Sequence, residues 1–179
     1  MIEEKKLFFS SVLIGDAVTE KTSIREQLGE IEPLDITFTG PFTLISHELK
    51  IKRQIIQIRL WTMDSSSVSW EKIRETYYRD VRGAIIIFDS TEENWFNNLK
   101  FWIKEIKRAN SKITMVLVHN LIEKEENDSN QIKEIIAEKI FKRYKVKFSF
   151  IELRTITNKK VEEIYLKLCK KLLEKNEEA

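Results

Sequence analysis

A single cysteine, Cys169, leaves no internal disulfide to draw and no thiolate cluster to hold a metal. It fits a reducing compartment, and its place inside an apparent helix reads as a buried thiol. Histidine is nearly as scarce. His47 and His119 stand far apart, with no acidic or thiol ligands grouped near either, so a metal site built on them is not expected. No apolar run is long enough to span a membrane, and the start, Met-Ile-Glu-Glu-Lys-Lys, is unlike a signal peptide. The polar end from Glu174 to Ala179 carries no acceptor cysteine, so no direct lipid anchor is expected. A formal charge of +2 gives no excess that calls for nucleic acid as a partner. The basic segments Lys50–Arg53 and Lys139–Lys147 read as solvated faces. Neither a Ser/His/Asp nor a Cys/His arrangement stands out. Glycine is confined to Gly15, Gly29, Gly40 and Gly83, so none lies between residues 41 and 82.

What remains is ordinary material for a globular domain. Hydrophobic residues make up 42% and charged ones 34%, which separates the chain from disordered sequences. Its 179 residues suffice for one domain, with a core over about 7–173. Period-two patterns predict strands over 7–14, 42–50, 55–61, 84–88, 113–118 and 147–151. Helical patterns cover 22–28, 69–80, 92–109, 129–144 and 158–174. Ser90-Thr91-Glu92-Glu93 and Asp128-Ser129 look like helix caps. Residues 84–88 are apolar throughout, as suits a strand covered on both faces. Residues 42–50 and 54–61 alternate and lie close together, as in a hairpin at a sheet edge with Gln57 and Arg59 toward solvent. The sum is an α/β fold: a six-stranded mixed, mostly parallel sheet flanked by about five helices. Ligands in such sheets bind beyond the carboxyl ends of the strands, which here means the loops after residues 14, 61, 88, 118 and 151.

The first of those loops carries the clearest signal. A hydrophobic strand runs into Gly15, and Lys21-Thr22 opens a helix after a short loop. This is G-x-x-x-x-G-K-[ST], satisfied at Gly15, Lys21 and Thr22, with Glu20 where the second glycine belongs. Backbone N–H groups turn inward around phosphates at such a glycine, and a carboxylate there adds like charge. A surface lysine and a capping threonine are the plainer reading of the same pair.

In order and spacing, these loops resemble the Ras superfamily of small GTPases, the Rab branch most closely. Gly15-Asp16 and Lys21-Thr22-Ser23 match a Rab phosphate loop. The run from Glu75 through Tyr77-Tyr78-Arg79 to Asp89 looks like the second switch helix and fourth strand of that family. The run Glu93-Asn-Trp-Phe-Asn-Asn-Leu-Lys-Phe-Trp-Ile103 matches its third helix. The resemblance covers residues 7 to 173 and implies a P-loop, small-GTPase-like fold. It implies GTP or GDP with Mg²⁺ as ligands, Lys21 on the outer phosphates and Thr22 on the metal. Thr39 falls at the metal-binding threonine of the first switch, with Thr37 in the neighbouring register. Asn120 and Glu123 stand in the base-recognition motif.

Departures from the pattern are numerous. Ala17 and Val18 replace small middle positions of the phosphate loop, and Pro41 stiffens the first switch. After Trp61 come Thr62, Met63, Asp64, Ser65 and Ser66, with neither the glycine that contacts the γ-phosphate nor the glutamine that orients water. Leu121 replaces the lysine that lies along the base, Glu123 replaces an aspartate, and Arg154-Thr155-Ile156 does not match the last loop. Three readings follow. One is a Rab-like pseudo-GTPase of signalling or trafficking type, its nucleotide held weakly or lost. It would bind an effector or scaffold protein through a surface from Asp35 to Trp61 and from Asp64 to Tyr78, with Trp61 and Trp70 as anchors. Its expected location is cytoplasmic, with any membrane residence through a partner. The second is an unorthodox GTPase completed by a partner, with Lys21 as its chief phosphate contact. The third, ranked last, is a binder of another nucleotide.

Overall fold

The computed structural model describes residues 5–16, 18–30, 35–39, 42–51, 53–63, 71–121, 129–145 and 148–177. Readings placed on Ala17, Gly40, Pro41, Asp64 to Ser66, Trp70 and Glu123 lie outside those residues. So do those on the side chains of Val18, Glu20, Thr37 and Thr39, whose backbones are described.

The sheet is organised around β1 (Lys5–Gly15), which pairs in parallel with β4 (Gln54–Met63) on one side and β5 (Gly83–Phe88) on the other. Beyond β5 lie β6 (Thr114–Asn120) and β7 (Phe148–Leu153), both parallel to their neighbours. Beyond β4 the pairing turns antiparallel, through β3 (Phe42–Ile51) to β2 (Asp35–Thr39). The order is β2-β3-β4-β1-β5-β6-β7, a mixed and mostly parallel sheet.

All six strands read from the sequence are present, and β2 adds a seventh. Its five residues, Asp-Ile-Thr-Phe-Thr, alternate at the strand period but form too short a run to stand out beside switch-like threonines. Pairing along β3, from Asp35 against Ser46 to Thr39 against Phe42, is what orders it. The β3–β4 hairpin therefore lies one strand in from the edge. Along β4, Ile56, Ile58 and Leu60 are buried and Arg59 is exposed, as the alternation requires.

Five helical rods cover the two faces. They are α1 (Val18–Glu30), α2 (Glu71–Tyr78), α3 (Trp95–Ala109), a composite rod and α6 (Asn158–Glu177). The composite begins as α4 (Ser129–Ile136), widens into a π-turn (Ala137–Phe141) and ends as α5 (Lys142–Tyr144). Ile136 and Lys142 keep helical dihedrals, so the rod is unbroken. The third helix starts at Trp95 rather than Glu92. The Asp89 carboxylate takes the backbone and hydroxyl donors of Thr91 at 2.8 and 2.6 Å, which holds the expected cap in a turn. Among the described residues no helix is long and apolar enough to cross a membrane.

The pleat sorts the core into two halves. Leu13, Ile85, Ile87, Val116 and Val118 face α6, meeting Tyr165, Leu168, Cys169 and Leu172. Val12, Ile14, Ile86 and Leu117 face the other way, onto Trp102, Ile103, Ile106 and Ile140. Both central strands are thus covered on both sides, as their unbroken apolar runs require. Cys169 is fully buried, and that burial pushes its thiol up to about 12. It is a core residue.

Two glycines are fixed by contact. Gly15 has φ +132°, and a Cβ there would lie 2.0 Å from the Ile87 carbonyl oxygen. At Gly83 a Cβ would meet Leu168 Cδ1 at 2.9 Å and the Ser11 hydroxyl at 3.0 Å, both of which can turn aside. Gly15→Ala is expected to cost about 3 kcal/mol or more through strain and overlap with backbone. Gly83→Ala is expected to cost about 1 kcal/mol, because only side-chain ends must move. Urea unfolding of the two variants beside the wild type checks the order; equal losses would contradict it.

Candidate functional site

Four strands of like direction, β2, β4, β1 and β5, end on one edge with β6 and β7. Register places the ends: Gly15 pairs with Ile87, Phe88 with His119, and Asn120 with Leu153. Thr39 pairs with Phe42, and Phe42 with Met63, so the end of β2 reaches the same edge. Lys21, Thr22 and Ser23 sit in the first turns of α1, directly after Gly15. Topology thus gathers Gly15, Lys21, Thr22, Ser23, Thr39 and Asn120 along one rim, although Thr39 and Asn120 stand on opposite sides of β1. Glu123 lies outside the described residues.

At the phosphate-loop end, the side chains converge on one indole. Lys21 is only 4% exposed, and its ammonium stands 5.9 Å from the centre of the Trp102 ring. The Trp102 Nε1–H donates to Asp16 Oδ1 at 2.9 Å, tying the loop after β1 to α3. The Arg74 guanidinium, from α2, lies 5.2 Å from the same ring. Its Nε and Nη2 each donate to one oxygen of Glu105 at 2.8 Å, a two-pronged pair that is 2% exposed on either side. Each cation over an aromatic face is worth about 0.5–2 kcal/mol, more as water is excluded. Two cations and two carboxylates therefore surround one ring, and they come from the phosphate loop, α1, α2 and α3.

Beside them the Tyr78 hydroxyl is buried without a hydrogen-bond partner among the described residues. Burial, and then the Glu105 carboxylate, push its phenol far above the usual range.

The other end of the rim is packed differently. Asn120 is 2% exposed, and so is Leu121, whose N–H donates to the Leu153 carbonyl at 2.8 Å. His119 is fully buried, its ring parallel to Phe88 with centres 4.9 Å apart, and Ser90 Oγ lies 2.7 Å from its Nε2. Burial lowers its pKa below 6.5 against the opposing pull of Glu152 and Asp89, which keeps the imidazole neutral near pH 7. Ile156 packs against the core, while Arg154 is exposed and paired with Glu152 at 3.2 Å.

On the flank, Tyr77 joins α2 to the hairpin. Its ring centre lies 4.1 Å from that of Phe42 and 5.1 Å from that of Trp61. Trp61 and Tyr77 are half-buried, and Ile73, one turn earlier on α2, is 40% exposed. Together they make an apolar strip between the two segments expected to meet a partner.

The Arg74–Glu105 pair and the role of Trp102 were not read from the sequence. A signal was present. Glu105 follows Trp102 by three residues and precedes Ile106 on the buried face of α3, so a carboxylate occupies a core position of the helical period. Such a carboxylate requires a cation, and Arg74 supplies it.

Residues 10–174 match the family model described as Ras family. Ras-related protein Rab-21 of Mus musculus is 30% identical over 170 residues, spanning 93% of this chain and 73% of that protein. Ras-related protein RabF1 of Dictyostelium discoideum is 28% identical over 185 residues, covering 99% of this chain and 91% of that one. Ras-related protein Rab-8B of Pongo abelii is 28% identical over 172 residues, with 93% and 79% covered.

Removing one partner of a sealed ion pair strands the other. Arg74→Ala is expected to lower unfolding free energy by about 3–5 kcal/mol, and Arg74→Met with Glu105→Leu to recover most of it. Chemical denaturation of both variants decides; a single-variant loss below about 1 kcal/mol would show that the pair is solvated.

Proposed function

This chain belongs to the Ras family, with a Rab-like small-GTPase fold, and from that premise we propose that it works as a protein-binding module without GTP turnover. The observation that carries the reading is the Trp102 cluster. The lysine that the family directs at phosphates is packed over an indole, and the same indole and Glu105 hold the helix that the family uses as a switch. An element tied into the core by a buried ion pair is a poor reporter of a γ-phosphate.

As a set, these residues are a poor fit for a guanine nucleotide with Mg²⁺. At the phosphate end Gly15 keeps its positive φ, and Lys21, Thr22 and Ser23 keep their places, but the sequence has Glu20 where the second glycine of the motif belongs. At the base end Leu121 is buried where a lysine should line the base, and Asn120 is sunk to 2% exposure. Glu123 carries one methylene more than the aspartate it replaces. The chain has no glycine between residues 41 and 82 to reach a γ-phosphate. Gly15 itself is no evidence of nucleotide, because the backbone of β5 already excludes a side chain there.

The partner surface in this reading joins β2–β4 to α2, centred on Trp61, Tyr77 and Ile73. Aromatic anchors of this kind tend to dominate binding energy. With α2 held, the surface is constitutive, and the protein acts as a scaffold of signalling or vesicle-trafficking type, cytoplasmic and brought to membranes through its partner. The alternative is a divergent GTPase in which Lys21, Thr22, Thr39 and Asn120 hold Mg·GTP and a partner completes hydrolysis. The retained spacing of Gly15, Lys21 and Thr22 is what favours it.

Calorimetric titration of nucleotide-stripped protein with GTP and GDP, in magnesium and then in EDTA, separates the two. The expected result is no heat and no thermal shift at millimolar nucleotide, with proteins captured in EDTA by the wild type and lost to Trp61→Ala. Micromolar, magnesium-dependent binding would overturn the pseudo-GTPase reading.

A further inference from the structure

The pole of the molecule away from the nucleotide rim is hollow. There the starts of β6 and β7 and the ends of α3 and α6 enclose a cavity of about 490 Å³. Lys107, Lys112, Lys145, Lys171 and Lys175 line it, and the single carboxylate among the lining residues, Glu174, is paired with Lys171 at 3.0 Å. A second hollow of about 280 Å³ shares Lys112 and Lys175 and adds Arg82. Six cations against one committed carboxylate is a strong local excess in a chain whose formal charge is only +2.

Helix dipoles account for part of this. Lys107 and Lys175 lie in the last turns of α3 and α6, where a cation is favoured. Lys107 Nζ donates to the Tyr144 carbonyl at 2.9 Å, and Lys175 Nζ donates to the Lys112 carbonyl. Lys145 caps the composite rod and Lys171 is paired with Glu174, which leaves Lys112 and Arg82 without such a reason. Lys112 belongs to the turn after α3, and Arg82 precedes β5. Lys145 follows α5 at φ 51°, in the left-handed region where a residue other than glycine is uncommon. Burial, and then the charges of Lys112, Arg82 and Lys107, pull the Lys175 pKa down. An anion would relieve that repulsion.

We propose that this cavity binds a multiply phosphorylated ring, the chemistry shared by soluble inositol polyphosphates and phosphoinositide headgroups. Its volume falls in the range of small-ligand sites and suits one substituted ring rather than a peptide or a duplex. Ile113 and Met115 give it an apolar floor, while lysines from four separate segments stand around it as point charges for phosphates. The site is independent of the nucleotide rim, and its occupation does not require GTP.

The full chain is titrated calorimetrically with inositol 1,4,5-trisphosphate. It is also sedimented with phosphatidylcholine vesicles carrying either phosphatidylinositol bisphosphate or phosphatidylserine at matched charge. Lys112 and Lys171 are both exposed, so Lys112→Gln with Lys171→Gln leaves the fold intact, and Lys159→Gln with Lys167→Gln is the charge control elsewhere on α6. At least one phosphoinositol probe is expected to bind, about tenfold or more weakly in the first variant and unchanged in the control. Binding of the soluble probe alone identifies a free anion, and selective sedimentation alone identifies a lipid headgroup; either supports the site. No binding in both arms, equal sedimentation with phosphatidylserine, or equal weakening in the two variants would overturn it.

Discussion

A guanidinium and a carboxylate sealed from water must be held together closely, because desolvation costs several kcal/mol per ion and only good geometry returns it. The Arg74–Glu105 pair meets that demand with two 2.8 Å hydrogen bonds. It does so only while α2 lies flat against α3. Trp102 then completes the arrangement, offering its ring to Arg74 and Lys21 and its N–H to Asp16. Loop, switch helix and third helix are thereby one packed unit. In the proposed reading these contacts hold α2, the helix that the family uses as a switch, and so oppose its movement.

The molecule divides its charge between two ends. At the rim, cations and carboxylates are matched around Trp102, and Phe88, His119 and Leu121 are buried at the ends of β5 and β6. At the far pole, among the described lining residues, six cations face one carboxylate, Glu174. An interior arrangement of matched charge sets shape, whereas an unmatched cluster at the surface is a feature that an anion can use. Neither is visible in the overall formal charge of +2.

Much of the fold was legible because the central strands are apolar at every position and the helices keep one apolar stripe. Residues 84–88 needed no more than their composition to be read as a doubly covered strand. The hairpin followed from alternation at Ile56, Ile58 and Leu60. What escaped was short or non-local. Strand β2 has five residues and depends on β3 for its order, and the start of α3 was displaced by an Asp89 turn that competes with helix. Of the rim, chain position alone says that Gly15 ends β1, that Lys21 and Thr22 lie in α1, and that Asn120 ends β6. The hub was not legible, since Arg74 and Glu105 are 31 residues apart and meet only once two helices pack. The basic pole combines single lysines from segments that look like ordinary solvated faces one at a time.

Hydrogen exchange of the α2 amides, Glu71–Tyr78, without nucleotide, with Mg·GDP and with a non-hydrolysable Mg·GTP analogue tests the central claim most directly. If the Trp102 cluster fixes this helix, exchange is the same in all three states. A difference of tenfold or more between the GDP and GTP-analogue states, about 1.4 kcal/mol in local stability, would show a working switch and contradict it.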